Sequence, residues 1–289
     1  MRLRASGLLS ITVLCLGMTG SGAVLAQGTW NFGQSGPGSC NPGGSPATAA
    51  CTVGSVTAGI SAWGSAGSGF VQGSLAEFDP NGFGAYTGSS ETGTNAHHAF
   101  DNKTTACGSG ATNTNCGGTI EAMLLNFGST KVSLTQISIG FFSGDSDLSV
   151  YRWDGAASLG TGLTGASASV GTSTALTGWT LVGSGDIDSL GNTLNTGNAK
   201  YSSYFLITTY FGANAMASNG AALSAGGDAF KILTATANKC VGTLTGGNGG
   251  NGGNGSTCTP GNQTPEPGAL ALMAVALVGA GFARRSKRG

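Results

Sequence analysis

Charge is scarce in this chain. Twelve basic and twelve acidic residues make up only 8% of its 289 positions. They form no basic stripe of the kind that tracks a phosphate backbone, so nucleic-acid binding is excluded. Histidine is scarcer, with only His97 and His98. Neighbours in an extended segment face opposite ways, so this pair does not share a metal. No C-x2-C spacing occurs either, which argues against zinc. There is no G-x-S-x-G elbow for a serine hydrolase, and the few loop-bound carboxylates nominate no glycosidase pair. The chain reads as a non-enzyme with no cofactor other than a candidate calcium ion. Between the termini no segment keeps a helical period of useful length, although residues 215–225 would make a turn or two.

What is present begins at the ends. Arg2 and Arg4 precede an apolar run over 8–18, and Val24 and Ala26 place small residues where a signal peptidase reads. That order predicts an N-terminal signal helix, residues 1–26, with cleavage after Ala26. At the other end, residues 268–283 are uncharged and apolar, and Arg284, Arg285, Lys287 and Arg288 follow. As a helix the run spans about 24 Å, slightly short of a ~30 Å hydrocarbon core. Local bilayer thinning or snorkelling makes up the difference. The basic cluster stays on the cytoplasmic side and leaves the body outside. With both ends set aside, six basic residues face eleven acidic ones, a net charge near −5.

Fifty-four glycines, with abundant Ser, Thr and Asn, imply much turn and loop between short strands. Six of the seven cysteines survive removal of Cys15 with the signal peptide: Cys40, Cys51, Cys107, Cys116, Cys240 and Cys258. An even number in an exported chain suggests disulfides. Of fifteen connectivities, pairing of neighbours is the working expectation: Cys40 with Cys51, Cys107 with Cys116, and Cys240 with Cys258. Each bond would staple a Gly- or Asn-rich loop.

Residues 27–54 are Gly-, Pro- and Ser-rich and read as an irregular lead-in. From 55 to 240 the chain reads as a body of short strands. Residues 119–127 are apolar on both faces. In 131–142, Val132 and Leu134 share one parity, whereas Ile137, Ile139 and Phe141 share the other. That switch predicts a β-bulge near Thr135 and Gln136, or two strands sharing a corner. The runs DLSVYRW, GWTLVGS, YFLITTYF and AFKILTATA supply further strands. The fold class is all-β, an antiparallel β-sandwich or jelly roll. Residues 241–263 read as a Gly/Asn-rich linker whose core, 246–255, is a flexible spacer. It lacks the aspartate of calcium-binding nonapeptide repeats.

The tail, residues 264–289, joins Pro265, Glu266 and Pro267 to the apolar run and the Arg-rich end. This three-part pattern resembles the PEP-CTERM sorting signal of Gram-negative bacteria, with Thr264 standing where that family often has valine. The resemblance implies signal peptidase and an exosortase as processing partners, transient insertion in the inner membrane, and a surface or extracellular destination. Segments HHAFDN, EAMLLNF, GDSDLSVYRWDG, GWTLVG, YSSYFLITTYF and GDAFKILTA also resemble a family of exosortase-dependent surface proteins. That likeness is scattered over residues 95–237 and implies a fixed turn around His98, Asp101 and Asn102.

Two D-x-D pairs stand out, Asp145 with Asp147 and Asp186 with Asp188. Two same-face carboxylates beside a glycine suit calcium, and Asp145 and Asp147 are the candidate ligands. Solvated turn residues are the alternative. Trp63, Tyr151 and Trp153 serve either as core packing or as stacking surfaces for sugars. The sequence thus points to a structural protein of the cell surface or extracellular matrix. Its alternative is a calcium-assisted carbohydrate-binding module with exopolysaccharide as partner.

Overall fold

The computed structural model describes residues 26–33, 40, 46–65, 69–86, 99–102, 120–155, 159, 163, 176–187, 192–212, 222–224, 226–248 and 254–260. These lie in one compact unit, Val24–Pro260. Its first strands are β1 (Ala26–Asn31), β2 (Thr48–Val53), β3 (Val56–Ser65), β4 (Phe70–Gln72), β5 (Ser74–Phe78), β6 (Gly82–Tyr86), β7 (Phe100–Asp101) and β8 (Ile120–Asn126). Then come β9 (Val132–Phe142), β10 (Asp147–Trp153), β11 (Trp179–Asp186), β12 (Thr193–Asn195), β13 (Tyr204–Thr209), β14 (Ala229–Lys239), β15 (Gly242–Thr245) and β16 (Thr257–Pro260). Among the described residues there is no helix, so none is long and apolar enough to cross a membrane. The expected signal helix, apart from Ala26, and the expected span 268–283 lie outside the described residues.

One sheet runs β12-β9-β14-β6-β5, and the other β11-β10-β13-β8-β3-β2 with β4 beside β3. Among the described residues the strand ladders are antiparallel, and the isolated bridge between Asp145 and Asp228 is parallel. The long strand β14 pairs with β9 along one side, while β7, β6 and β1 divide its other side. β8, β9 and β10 alternate between the two sheets, so the chain stitches the layers together as it runs. Period-2 alternation sends Leu134, Ile137, Ile139, Phe230 and Ile232 of the first sheet into one core. Ile60, Met123, Leu125, Val150, Phe205 and Ile207 of the second meet them there. The two antiparallel sheets thus share one core.

β8 is apolar on both faces, as its sequence suggests. Met123 and Leu125 enter the shared core. Ile120, Ala122 and Leu124 join Trp63, Tyr151, Leu206 and Phe211 in a second cluster, closed by Leu163 and Leu176. The parity switch in β9 is a bulge. Gln136 pairs with Thr236 and Leu134 with Ala237, which leaves Thr135 unpaired between them. Its Oγ1 donates to the Thr236 carbonyl at 3.1 Å, and its own carbonyl accepts from Thr196 N–H at 3.0 Å. The extra residue turns both apolar pairs inward.

Two sequence readings need correction. The lead-in 27–54 is not irregular throughout: it contains most of β1 and all of β2, although only Trp30 in β1 is a large apolar residue. Pairing from Ala26 with Lys239 to Asn31 with Thr234 makes β1 a strand. Cys40 bonds Cys51 across 5.0 Å between Cα atoms and fastens the intervening loop. Nor is 241–263 a free linker. β15 and β16 form a hairpin, closed by Cys240–Cys258 with a Cα–Cα distance of 5.7 Å. The body therefore extends to Pro260. Cys107 and Cys116 lie outside the described residues.

Candidate functional site

The end of β9 turns at Gly144, whose φ of +84° suits a residue without Cβ. The turn delivers Asp145 just before β10, and Asp147 opens that strand. Asp228 arrives from the far side of the sequence, immediately ahead of β14. Ala229 N–H donates to the Asp145 carbonyl at 3.1 Å, and Ser143 N–H to the Ala229 carbonyl at 2.9 Å. These backbone bonds hold the two segments together. One carboxylate oxygen from each of Asp145, Asp147 and Asp228 then lies within 4.8 Å of the others.

The three differ in access. Asp228 is fully buried and Asp147 nearly so, whereas Asp145 is half-buried. Asp228 Oδ1 accepts the Asp147 N–H at 2.7 Å, and its Oδ2 accepts from Asn102 Nδ2. Asn102 is itself fixed. Its Oδ1 accepts Asp228 N–H at 3.0 Å, and its Nδ2 donates to the Tyr210 carbonyl at 2.6 Å. On the open side, Ser224 N–H donates to Asp147 Oδ2 at 2.5 Å and Ser224 Oγ to Asp145 Oδ2 at 2.6 Å. Asp145 and Asp147 therefore point toward one common partner, as a D-x-D in extended chain should.

Burial pushes the Asp228 carboxyl up to about 8. Neighbouring Asp147 and Asp145 push the same way, against the hydrogen bonds from Asp147 N–H and Asn102. Without a cation, the cheapest way to hold this group is to leave it protonated. A divalent cation would supply the missing positive charge. The set of hard oxygen donors is of the type calcium takes.

Among the other sequence candidates, Asp186 sits in register with Asp147 across β10 and β11. Asp188, His97 and His98 lie outside the described residues. Trp63 and Tyr151 are only 5% exposed and pack in the second cluster. Trp153 packs against Trp179 with ring centroids 5.3 Å apart and planes tilted by 59°, and a Cβ at Gly155 or Gly178 would strike its ring. These aromatics are packing residues. Asp228 and Asn102 had no local signal as ligand and support. Asp228 is eighty-one residues from Asp147, and only the HHAFDN and GDAF segments of the family likeness touch the two.

The comparisons with known proteins speak to the tail. No curated protein and no solved structure matches the chain. Residues 263–288 match the family model of the PEP-CTERM protein-sorting motif, including Pro265, Glu266 and Pro267. These residues lie outside the described structure, and the acidic cluster belongs to a body that the match does not reach. The chain thus carries a PEP-CTERM sorting motif, the signature of an exported protein handled by an exosortase.

Proposed function

We propose that this protein is a structural component of the cell surface or extracellular matrix, delivered there by its tail. The sorting motif at 263–288 carries the reading. Its support is the body that precedes it: two sheets around one core, few charges, and disulfides suited to an oxidising compartment. In this account signal peptidase removes the leader, the apolar run 268–283 holds the precursor in the inner membrane, and an exosortase cuts near the motif. The body then leaves the membrane. Deleting residues 265–289 tests the delivery. The truncated protein should go directly to the periplasm or medium with no membrane-bound intermediate. Equal surface delivery by truncated and full chains would reject the sorting role.

One observation favours a second element of function. Asp228 completes a three-carboxylate group that the D-x-D alone does not make, and this supports calcium as a ligand. Calcium in millimolar excess should then raise the melting temperature of the full chain, and a chelator should reverse the rise. The double change Asp145→Asn with Asp147→Asn should abolish the response. Identical melts with calcium and chelator would reduce the group to a buried turn network. A glycan array run under the same two conditions separates a saccharide-binding role from a purely structural one.

A further inference from the structure

The glycine–asparagine run 246–255 has the composition of a tether, yet its ends are seated on the body. Asn254 is fully buried. Its Oδ1 accepts from Lys131 Nζ at 2.9 Å, Ser203 N–H at 3.1 Å and Ser202 Oγ at 3.2 Å. Asn248 Nδ2 donates to the Asp154 carbonyl at 2.5 Å, and Asn248 N–H donates to the Asn254 carbonyl at 3.0 Å. Gly255 N–H donates to the Tyr201 carbonyl at 2.8 Å, and Tyr201 N–H to the Ser256 carbonyl at 2.9 Å. Gly255 has a φ of +77°, and an added Cβ would lie 2.8 Å from Asp154 Oδ1. Glycine is required there for close approach as well as for conformation. Around this seat, Cys240–Cys258 joins the two ends of the segment covalently.

We propose that the run is a clasped loop and not the tether: Cys240–Cys258, reinforced by the seat of Asn254, removes residues 241–257 from the chain that connects body to sorting motif. The connection then starts where β16 ends, at Pro260. Five residue steps separate it from Pro265, a reach of at most about 18 Å. Were the clasp open, the twenty-six steps from Lys239 to Pro265 would extend to about 90 Å. The clasp thus keeps the motif on a short lead while the exosortase acts, a consequence that rests on the sorting role proposed above.

The direct test does not depend on processing. A site-specific protease sequence is inserted between residues 249 and 253 of the full chain. Pro265→Ala and Pro267→Ala are added to keep the precursor in the membrane. After the cut, the body should stay membrane-attached in non-reducing conditions and come free only on adding a thiol. Release by the cut alone would overturn the proposal. A precursor that is still trimmed despite the two proline changes would count against the sorting role, and the cut is then read in the trimmed protein, whose two pieces should stay joined without thiol and separate with it. In the chain with its native motif, pulse-chase supplies the second measurement. Removing 249–253 should leave processing within about two-fold of wild type. Removing 261–263 should slow it at least ten-fold, and restoring three residues as Gly-Ser-Gly should rescue it. Equal slowing by the two deletions, or failure of that rescue, would also overturn the proposal.

Discussion

Asp228 is the residue whose chemistry most constrains the body. A carboxyl held near 8 in the folded protein and near 3.9 in the unfolded chain binds its proton more tightly when folded. The folded state is therefore favoured below the unfolded value, and that contribution is lost as pH rises from about 4 to about 8. The metal-free melting temperature should fall across this window, and Asp228→Asn should flatten the dependence. A profile that rises from pH 5 to 8, or one unchanged by the substitution, would contradict the assignment. Calcium competes with the proton, so its stabilising effect should be larger at pH 8 than at pH 5.5. At this scale the sequence shows half the group. Asp145 and Asp147 are legible because they are neighbours in an extended segment. Asp228 and Asn102 are not, because the paired ends of β14 and β7 and their backbone hydrogen bonds bring them in from distant segments.

The strands divide according to what makes them strands. β8 and β9 can be read in advance because burial shapes them, apolar on two faces in one and with a parity break at Thr135 in the other. β1, β15 and β16 are polar and small, and their partners decide them: β14 for β1, and the Cys240–Cys258 bond with mutual pairing for the hairpin. Close backbone approach is likewise invisible to pattern. Gly82 begins β6 with a φ of +97°, and an added Cβ would lie 2.1 Å from the Ile232 carbonyl oxygen. Gly82→Ala combines the left-handed penalty with overpacking against backbone that cannot step aside. It should cost about 3 kcal/mol, read as a lower urea midpoint with unchanged slope. A loss under about 0.5 kcal/mol would show that β6 and β14 have room to separate.

At the scale of the whole molecule, a body and an address are written in different ways. The address is local in sequence, a short motif followed by an apolar run and basic residues, and it can be read without any fold. The body's sheets depend on pairings between residues more than two hundred positions apart, such as Thr29 with Thr236, so composition yields their class but not their order. Its disulfides fall between: neighbour pairing is a guess from spacing, and Cys40–Cys51 and Cys240–Cys258 follow it, each closing a glycine-rich stretch of sequence. In the chain-entropy account a fifteen-residue loop closed this way is worth about 3 kcal/mol. In the function proposed above, both termini are processing signals and the folded body between them is the delivered product. Intact-mass spectrometry of the protein recovered from the cell surface or medium, without reduction, measures this most directly. The predicted species begins at Gln27, ends close to Pro265, Glu266 and Pro267, and lacks two hydrogens for each disulfide. A released chain that still carries Gly289 would contradict it.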